Sequence, residues 1–183
     1  RSHKELERDI KAYKSVKDWG RFTDNFLLMA SHVAGDKPPN WFSDADWKIV
    51  LDNARLGAKI AKEIGFKGIS FDAEGYGGGT YGVWRQPWDY SLYARSDYTI
   101  EERDKPRSFK EVSAKVRQRG KQWAQAISEE YPDMVLAVLP GLYEVSWMRA
   151  NEPRFGGDLA KTDIGLWPSF VDGMLQGLGE KVL

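Results

Sequence analysis

The sequence predicts an α/β fold built on a parallel sheet, because three apolar segments alternate with segments of helical periodicity. The apolar segments are residues 26–30, 66–74 and 134–139. Each is nearly continuous in apolar residues, which is typical of strands that are covered on both faces. Helical segments precede, separate and follow them, and this order favours parallel strands joined by helical crossovers.

The first helix is predicted over residues 3–18. Ser2 and Glu5 have the spacing of a capping box, and Gly20 can end the helix. Apolar residues recur at helical spacing and give the helix one face for the core: Leu6, Ile10 and Tyr13.

The second helix, between the first two strands, has the clearest boundaries in the chain. Ser43 is a suitable N-cap residue with Asp46 at the capping-box position, and Gly65 suits the position just after the last turn. The apolar residues between them fall on one stripe: Trp47, Val50, Leu51, Ala54, Ala58 and Ala61.

A third helix is predicted from Ser108 to about Glu130, and a short fourth helix near residues 168–178. Ser108 and Glu111 again have the spacing of a capping box. The third helix is the crossover that leads into the last predicted strand.

Residues 75–107 form a long connection between the second strand and the third helix. Connections longer than about 15 residues inside a compact domain are usually functional or disordered. Disordered segments are poor in aromatic residues, whereas this connection is rich in them. We therefore predict an ordered, functional excursion, with these aromatic residues: Tyr76, Tyr81, Trp84, Trp88, Tyr90, Tyr93 and Tyr98.

Two architectures fit the order of elements, a doubly wound sheet and a (β/α)8 barrel, and we favour the barrel. A barrel takes about 250 residues, so three predicted strands in 183 residues amount to roughly half of one. Half a barrel would leave open sheet edges. We therefore expect residues 1–183 to be part of a single barrel domain that is truncated at both ends.

The amino-acid composition limits the partners and the chemistry that we expect of this chain. The chain has 27 basic and 27 acidic residues, a balance that predicts neither a nucleic-acid partner nor attraction to an anionic membrane surface. No apolar run reaches the ~18 residues of a membrane span. The chain has no cysteine, which excludes disulfides, thiolate nucleophiles and cysteine-ligated metal sites.

The second predicted strand ends in two carboxylates, Asp72 and Glu74. Alternate residues of a strand point to the same face, so these two side chains and Ser70 share one face. Two neighbouring carboxyl groups in a partly desolvated site can divide their roles, one holding its proton and the other ionised. A proton donor beside a carboxylate that stabilises positive charge is what cleavage of a glycosidic bond needs. The alternative is a buried ion pair that only supports the fold.

The segment GISFDAEGY, residues 68–76, resembles the end of the fourth strand in (β/α)8 glycoside hydrolases, especially the chitinase-like group. Their motif closes with D-x-D-x-E, usually followed by an aromatic residue. Ser70 stands at the first aspartate position here, and Gly75 follows the glutamate, so an uncharacterised glycosidase-like family fits better than a true chitinase.

The resemblance implies an enzyme that cleaves a glycosidic bond in a poly- or oligosaccharide. Glu74 would be the general acid and Asp72 its electrostatic or orienting partner. No cofactor is implied. The location is otherwise open, and the glycosidase interpretation slightly favours an extracytoplasmic one, secreted or periplasmic.

Further residues near the ends of the predicted strands are expected to contact the carbohydrate. The aromatic residues among them could instead form the core of their own loops, Glu144 could be a solvated loop residue, and His32 could be a hydrogen-bonding residue at a loop start. The predicted substrate contacts are Tyr76, Trp84, Trp88, His32, Tyr143, Glu144 and Trp147.

Two other functions compete with the glycosidase. His32, Asp72 and Glu74 could hold a metal ion in a metal-dependent hydrolase or isomerase on the same barrel; sensitivity to a chelator distinguishes this enzyme from a metal-free glycosidase. The chain could also bind carbohydrate without cleaving it, in which case neutralising Glu74 leaves binding intact.

Overall fold

A computed structural model describes residues 3–30, 39–73, 87–91, 106–139, 141 and 144–182, and it confirms the α/β class. The elements follow one another in this order: a 3-10 helix at Lys4–Leu6, α1 at Glu7–Ser15, β1 at Phe26–Ala30, α2 at Asp44–Ile64, β2 at Gly68–Asp72, α3 at Phe109–Glu130, β3 at Val135–Leu139, α4 at Glu144–Ala150, a 3-10 helix at Leu159–Lys161 and α5 at Trp167–Gly177.

The strands β1, β2 and β3 form one parallel sheet in that order. Phe26 is in register with Gly68, and Gly68 with Val135. Both crossovers, through α2 and then through α3, step in the same direction across the sheet. Right-handed crossovers that step in one direction place their helices on the same face.

The two crossover helices begin and end where their capping residues stand. The Ser43 hydroxyl accepts a hydrogen bond from the backbone N–H of Asp46, and Gly65 ends α2 with a φ of 78°. Ser108 and Glu111 form a complete capping box at the start of α3. The predicted boundaries of both helices are confirmed, because these local interactions satisfy backbone groups that the helix itself leaves unpaired.

The core lies between the sheet and the helices, and Phe71 of β2 is at its centre. The ring of Phe71 is 4.7 Å from that of Trp123 in α3, and 5.9 Å from that of Phe170 in α5. Ile69 and Ala73 are buried on the same face of the strand. The predicted orientation of β2, with this apolar set against the helices, is confirmed.

Helices α3 and α5 approach each other closely because glycines replace side chains at their contact. A Cβ atom at Gly120 would overlap the backbone of α5 at Phe170, and one at Gly173 would overlap the backbone of α3 at Arg117. The two backbones therefore meet directly, and larger residues at these positions would force the helices apart.

The predicted (β/α)8 barrel is wrong for this part of the chain, since the described residues form a three-stranded open sheet. The strands are also covered on one face rather than two, for Leu28 and Leu139 on the opposite face keep 65% and 49% of their area exposed. Continuous apolar composition is a local property of each strand. The number of strands that pair depends on contacts that are distant in sequence, which the composition does not encode.

Candidate functional site

Asp72 lies at the carboxyl end of the central strand, on the face that the helices leave uncovered. Its neighbour Phe71 is fully buried on the other face, whereas Asp72 and Ser70 are half-buried. The alternation predicted from the sequence is therefore confirmed for the described part of the strand. In open parallel sheets, ligands bind outside the carboxyl ends of the strands.

The residues beside Asp72 in the sheet are apolar. Ala30 of β1 and Leu139 of β3 are in register with it. Asp72 is thus the one ionisable side chain among the three register-matched positions that close the strands. An acid placed between exposed apolar neighbours at a strand end is suited to meeting a ligand that has both hydroxyl groups and apolar ring faces.

The backbone N–H and the backbone carbonyl of Ala73, the residue that follows Asp72, both make hydrogen bonds. The N–H of Ala73 donates to the carbonyl of Leu139 at 2.9 Å and so extends the ladder by one residue. The carbonyl of Ala73 accepts a hydrogen bond from Nε1 of Trp88 at 2.6 Å. Glu74 comes next in the sequence and lies outside the described residues.

Trp88 belongs to the core rather than to a ligand surface. Its side chain keeps 1% of its area exposed, and its ring lies 5.5 Å from that of Trp41 and 4.8 Å from that of Trp167. A ring enclosed in this way offers no face to a sugar, so the predicted substrate contact is replaced by the alternative, a core residue. Among the described tryptophans, five are buried in this way: Trp41, Trp47, Trp88, Trp123 and Trp167.

Glu144 lies shortly beyond the carboxyl end of the neighbouring strand, β3. It is exposed and begins α4, shortly after β3 ends. Gly141 between them has a φ of 113°, a conformation that side chains rarely adopt. A Cβ atom at Gly141 would stand 3.2 Å from Oε2 of Glu144, so the carboxylate folds back over the backbone of the strand end.

Trp147, in the first turns of α4, keeps 49% of its area exposed, and Met148 beside it keeps 72%. An exposed indole ring provides a flat apolar surface with a polar N–H at its edge. Trp147 therefore has the accessibility that its predicted contact with carbohydrate requires.

Five predicted site residues lie outside the described residues. They are Glu74, Tyr76, Trp84, His32 and Tyr143. Asp72, Trp88, Glu144 and Trp147 are the members of the predicted site whose surroundings are described.

The described part of the chain holds no group of three or more histidine, aspartate or glutamate side chains that could bind a metal ion. The triad predicted for the metal-dependent alternative includes two residues beyond it, His32 and Glu74. None of the helices built from the described residues is long and apolar enough to cross a membrane.

A separate cavity of about 420 Å³ lies between α2 and α3. Its charges are largely matched: Lys48 pairs with Asp52 at 2.6 Å, and Arg119 pairs with Asp44 at 2.5 Å. The hydrogen bond from Arg119 lowers the pKa of Asp44, and burial lowers the pKa of Lys115. The pair of Arg119 and Asp44 joins α3 to α2, whereas Lys48 and Asp52 lie one turn apart in α2, and we assign the cavity no ligand.

Trp167 is the residue of this region that the sequence analysis missed. Its Nε1 donates to the carbonyl of Gly141 at 3.0 Å, just before α4. The short helix was predicted to begin one residue later, at Pro168. The proline at the first turn was a usable signal for the start of a helix, but no sequence signal connects Trp167 with a strand end 26 residues away.

No protein-family model matches the chain, and no curated protein or solved structure matches it. The candidate site is therefore argued from its own residues.

Proposed function

We propose that this protein hydrolyses glycosidic bonds, with Glu74 as the general acid and Asp72 as its electrostatic or orienting partner. The observation that supports the proposal is the position of Asp72 at the carboxyl end of the central strand, on the uncovered face of the sheet. The covered face is filled by aromatic side chains, so a substrate has room on the face where Asp72 lies.

The chemistry follows from two acids at alternate positions. A protonated Glu74 would donate its proton to the leaving oxygen as the glycosidic bond breaks, and an ionised Asp72 would stabilise the positive charge that develops on the sugar. Water would then form the new bond to the anomeric carbon and pass its proton to the Glu74 carboxylate, which restores the acid. Glu144, which begins α4 shortly after the adjacent strand ends, would act on the substrate from a second direction. The exposed ring of Trp147 would support a sugar ring by stacking.

The test compares the wild-type protein with Glu74→Gln and Asp72→Asn on a panel of polysaccharides and aryl glycosides. We expect turnover to fall by at least ~100-fold in Glu74→Gln, because general acid catalysis contributes about that much. Glu129→Gln is the matched control, since this exposed glutamate on α3 lies away from the strand ends. Circular dichroism establishes that every variant is folded.

Three other outcomes would each change the proposed function in a different way. Turnover that EDTA abolishes would replace the proposed mechanism with a metal-dependent one. Binding of an oligosaccharide without turnover, in wild type and Glu74→Gln alike, would leave a carbohydrate-binding protein. Equal activity in Glu74→Gln and Glu129→Gln would remove Glu74 from the chemistry.

A further inference from the structure

Two buried tryptophans hold the ends of two neighbouring strands. Nε1 of Trp88 donates to the carbonyl of Ala73 at 2.6 Å, and Nε1 of Trp167 donates to the carbonyl of Gly141 at 3.0 Å. Ala73 lies between Asp72 and Glu74 in the sequence. Each indole thus reaches from the core to the backbone that carries a proposed site residue.

The two tryptophans are also fixed to each other. Their rings meet edge to face with centroids 4.8 Å apart, and the backbone N–H of Leu166 donates to the carbonyl of Trp88 at 3.0 Å. Trp41 completes the arrangement by donating from its own Nε1 to the carbonyl of Pro87 at 3.0 Å. A displacement of either indole would therefore disturb the other.

The carbonyls need these donors because both lie where the strand ladder ends. A buried carbonyl without a partner destabilises a protein by about 1–3 kcal/mol. Without Trp88, the backbone at Ala73 would have to turn its carbonyl towards water. That rotation would disturb the backbone at Ala73, which directly follows Asp72.

We infer that Trp88 and Trp167 are positioning residues, which fix from the covered face the backbone at Ala73, between Asp72 and Glu74 in the sequence, and the backbone at Gly141, shortly before Glu144. The inference rests on the proposed function for the role of those acids. We expect that loss of one indole N–H makes the backbone at the site less firmly held while the core remains packed.

Another tryptophan of the chain provides a matched control for the loss of an indole hydrogen bond. Trp47 is fully buried and its ring lies 5.1 Å from that of Trp41, in the same cluster. Among the described residues, however, its Nε1 has no hydrogen-bond partner. Trp47→Phe therefore reduces packing as Trp88→Phe does, but breaks no hydrogen bond.

The first measurement is steady-state kinetics of Trp88→Phe, Trp167→Phe and Trp47→Phe, at a temperature where all three are folded. We expect Trp88→Phe to lower kcat by about tenfold to 100-fold, since small misplacements of reacting groups have effects of this size. KM should change little. Trp47→Phe should keep the wild-type kcat.

The second measurement requires no substrate. The amide of Ala73, which donates to Leu139, should exchange its hydrogen about fivefold faster in Trp88→Phe than in wild type, the equivalent of the roughly 1 kcal/mol that a net hydrogen bond contributes. Trp47→Phe should leave that rate unchanged relative to amides in the middle of β2.

The outcomes separate this inference from the proposed function. If the wild type turns over glycosides and Trp88→Phe loses no more kcat than Trp47→Phe, the inference is overturned and the function stands. If the wild type has no activity, selective exchange at Ala73 still supports the anchoring role of Trp88, and its absence overturns it.

Discussion

Phe71 and Asp72 are adjacent in β2, yet Phe71 has no exposed area while Asp72 is half-buried on the other face of the sheet. On the side of Phe71, helices α3 and α5 bring aromatic rings to the strand. On the side of Asp72, the apolar Leu28 and Leu139 remain exposed. Within the described residues, the helices therefore bury one face of β2 and leave acidic and apolar side chains of the other face accessible.

The largest expected effect is the loss of a core ring on the covered face. Phe71→Ala should lower the free energy of unfolding by about 3–5 kcal/mol, because the cavity is lined by rings that cannot collapse into it. Leu28→Ala, on the open face, should change it by only about 0.5 kcal/mol. Urea denaturation followed by circular dichroism measures both. Equal losses would mean that the open face is also buried in solution.

A second comparison uses two glycines within helices of the covered side. Gly173→Ala should destabilise the protein by about 1–3 kcal/mol, since the new methyl group meets the backbone of α3. Gly57→Ala should be close to neutral: its methyl group meets the flexible side chain of Met29, and alanine favours the helix by about 1 kcal/mol.

Thermal and urea denaturation of the two glycine variants give the test. A Gly173→Ala protein as stable as Gly57→Ala would contradict the close contact of α3 and α5. It would mean that the two helices can separate without loss of the core.

The sequence predicted much of this arrangement, because many of its signals are local. Ser43, Gly65 and the pair Ser108 and Glu111 each satisfy backbone groups within a few residues of themselves, so the boundaries of α2 and α3 could be read directly. The two faces of β2 could also be predicted, since alternation requires only the residues of that strand.

What the sequence did not predict depends on contacts between distant segments. The barrel required strands to pair in a number that local patterns do not specify. The position of Trp88 was also hidden, because an aromatic residue in a long connection looks alike whether it faces ligand or core. Its hydrogen bond to Ala73 joins residues 15 positions apart, and only the folded chain brings them together.

Loss of the capping box of α3 should have a smaller effect on stability, and the size of this effect should depend on pH. Ser108→Ala should lower the free energy of unfolding by about 1 kcal/mol at neutral pH, the usual value for an N-cap serine. Hydrogen bonds from Ser108, first from its hydroxyl and then from its backbone N–H, lower the pKa of Glu111. The folded pKa is thus below the unfolded value of about 4.3.

The direction of the pH dependence follows from the order of the folded and unfolded pKa values of Glu111. The contribution of Glu111 is present above about pH 4.3 and is lost as the pH falls through the lower folded pKa. The stability difference between wild type and Ser108→Ala should therefore be larger at pH 7 than below pH 4. Urea denaturation at both values measures it, and a difference that widens at low pH would contradict the assignment.

A small change in stability is also expected at Trp147, which makes this residue a probe of the exposed surface that follows β3. Because about half of its area is exposed, Trp147→Ala should alter the free energy of unfolding by only about 0.5 kcal/mol. If its ring supports a sugar, the KM for an oligosaccharide should rise by roughly threefold to tenfold, the equivalent of about 0.5–1.5 kcal/mol of stacking. A large loss of stability would make Trp147 a core residue after all, like Trp88, and an unchanged KM would remove it from the site. A raised KM in a fully stable protein would assign the Trp147 ring to ligand contact rather than to the core.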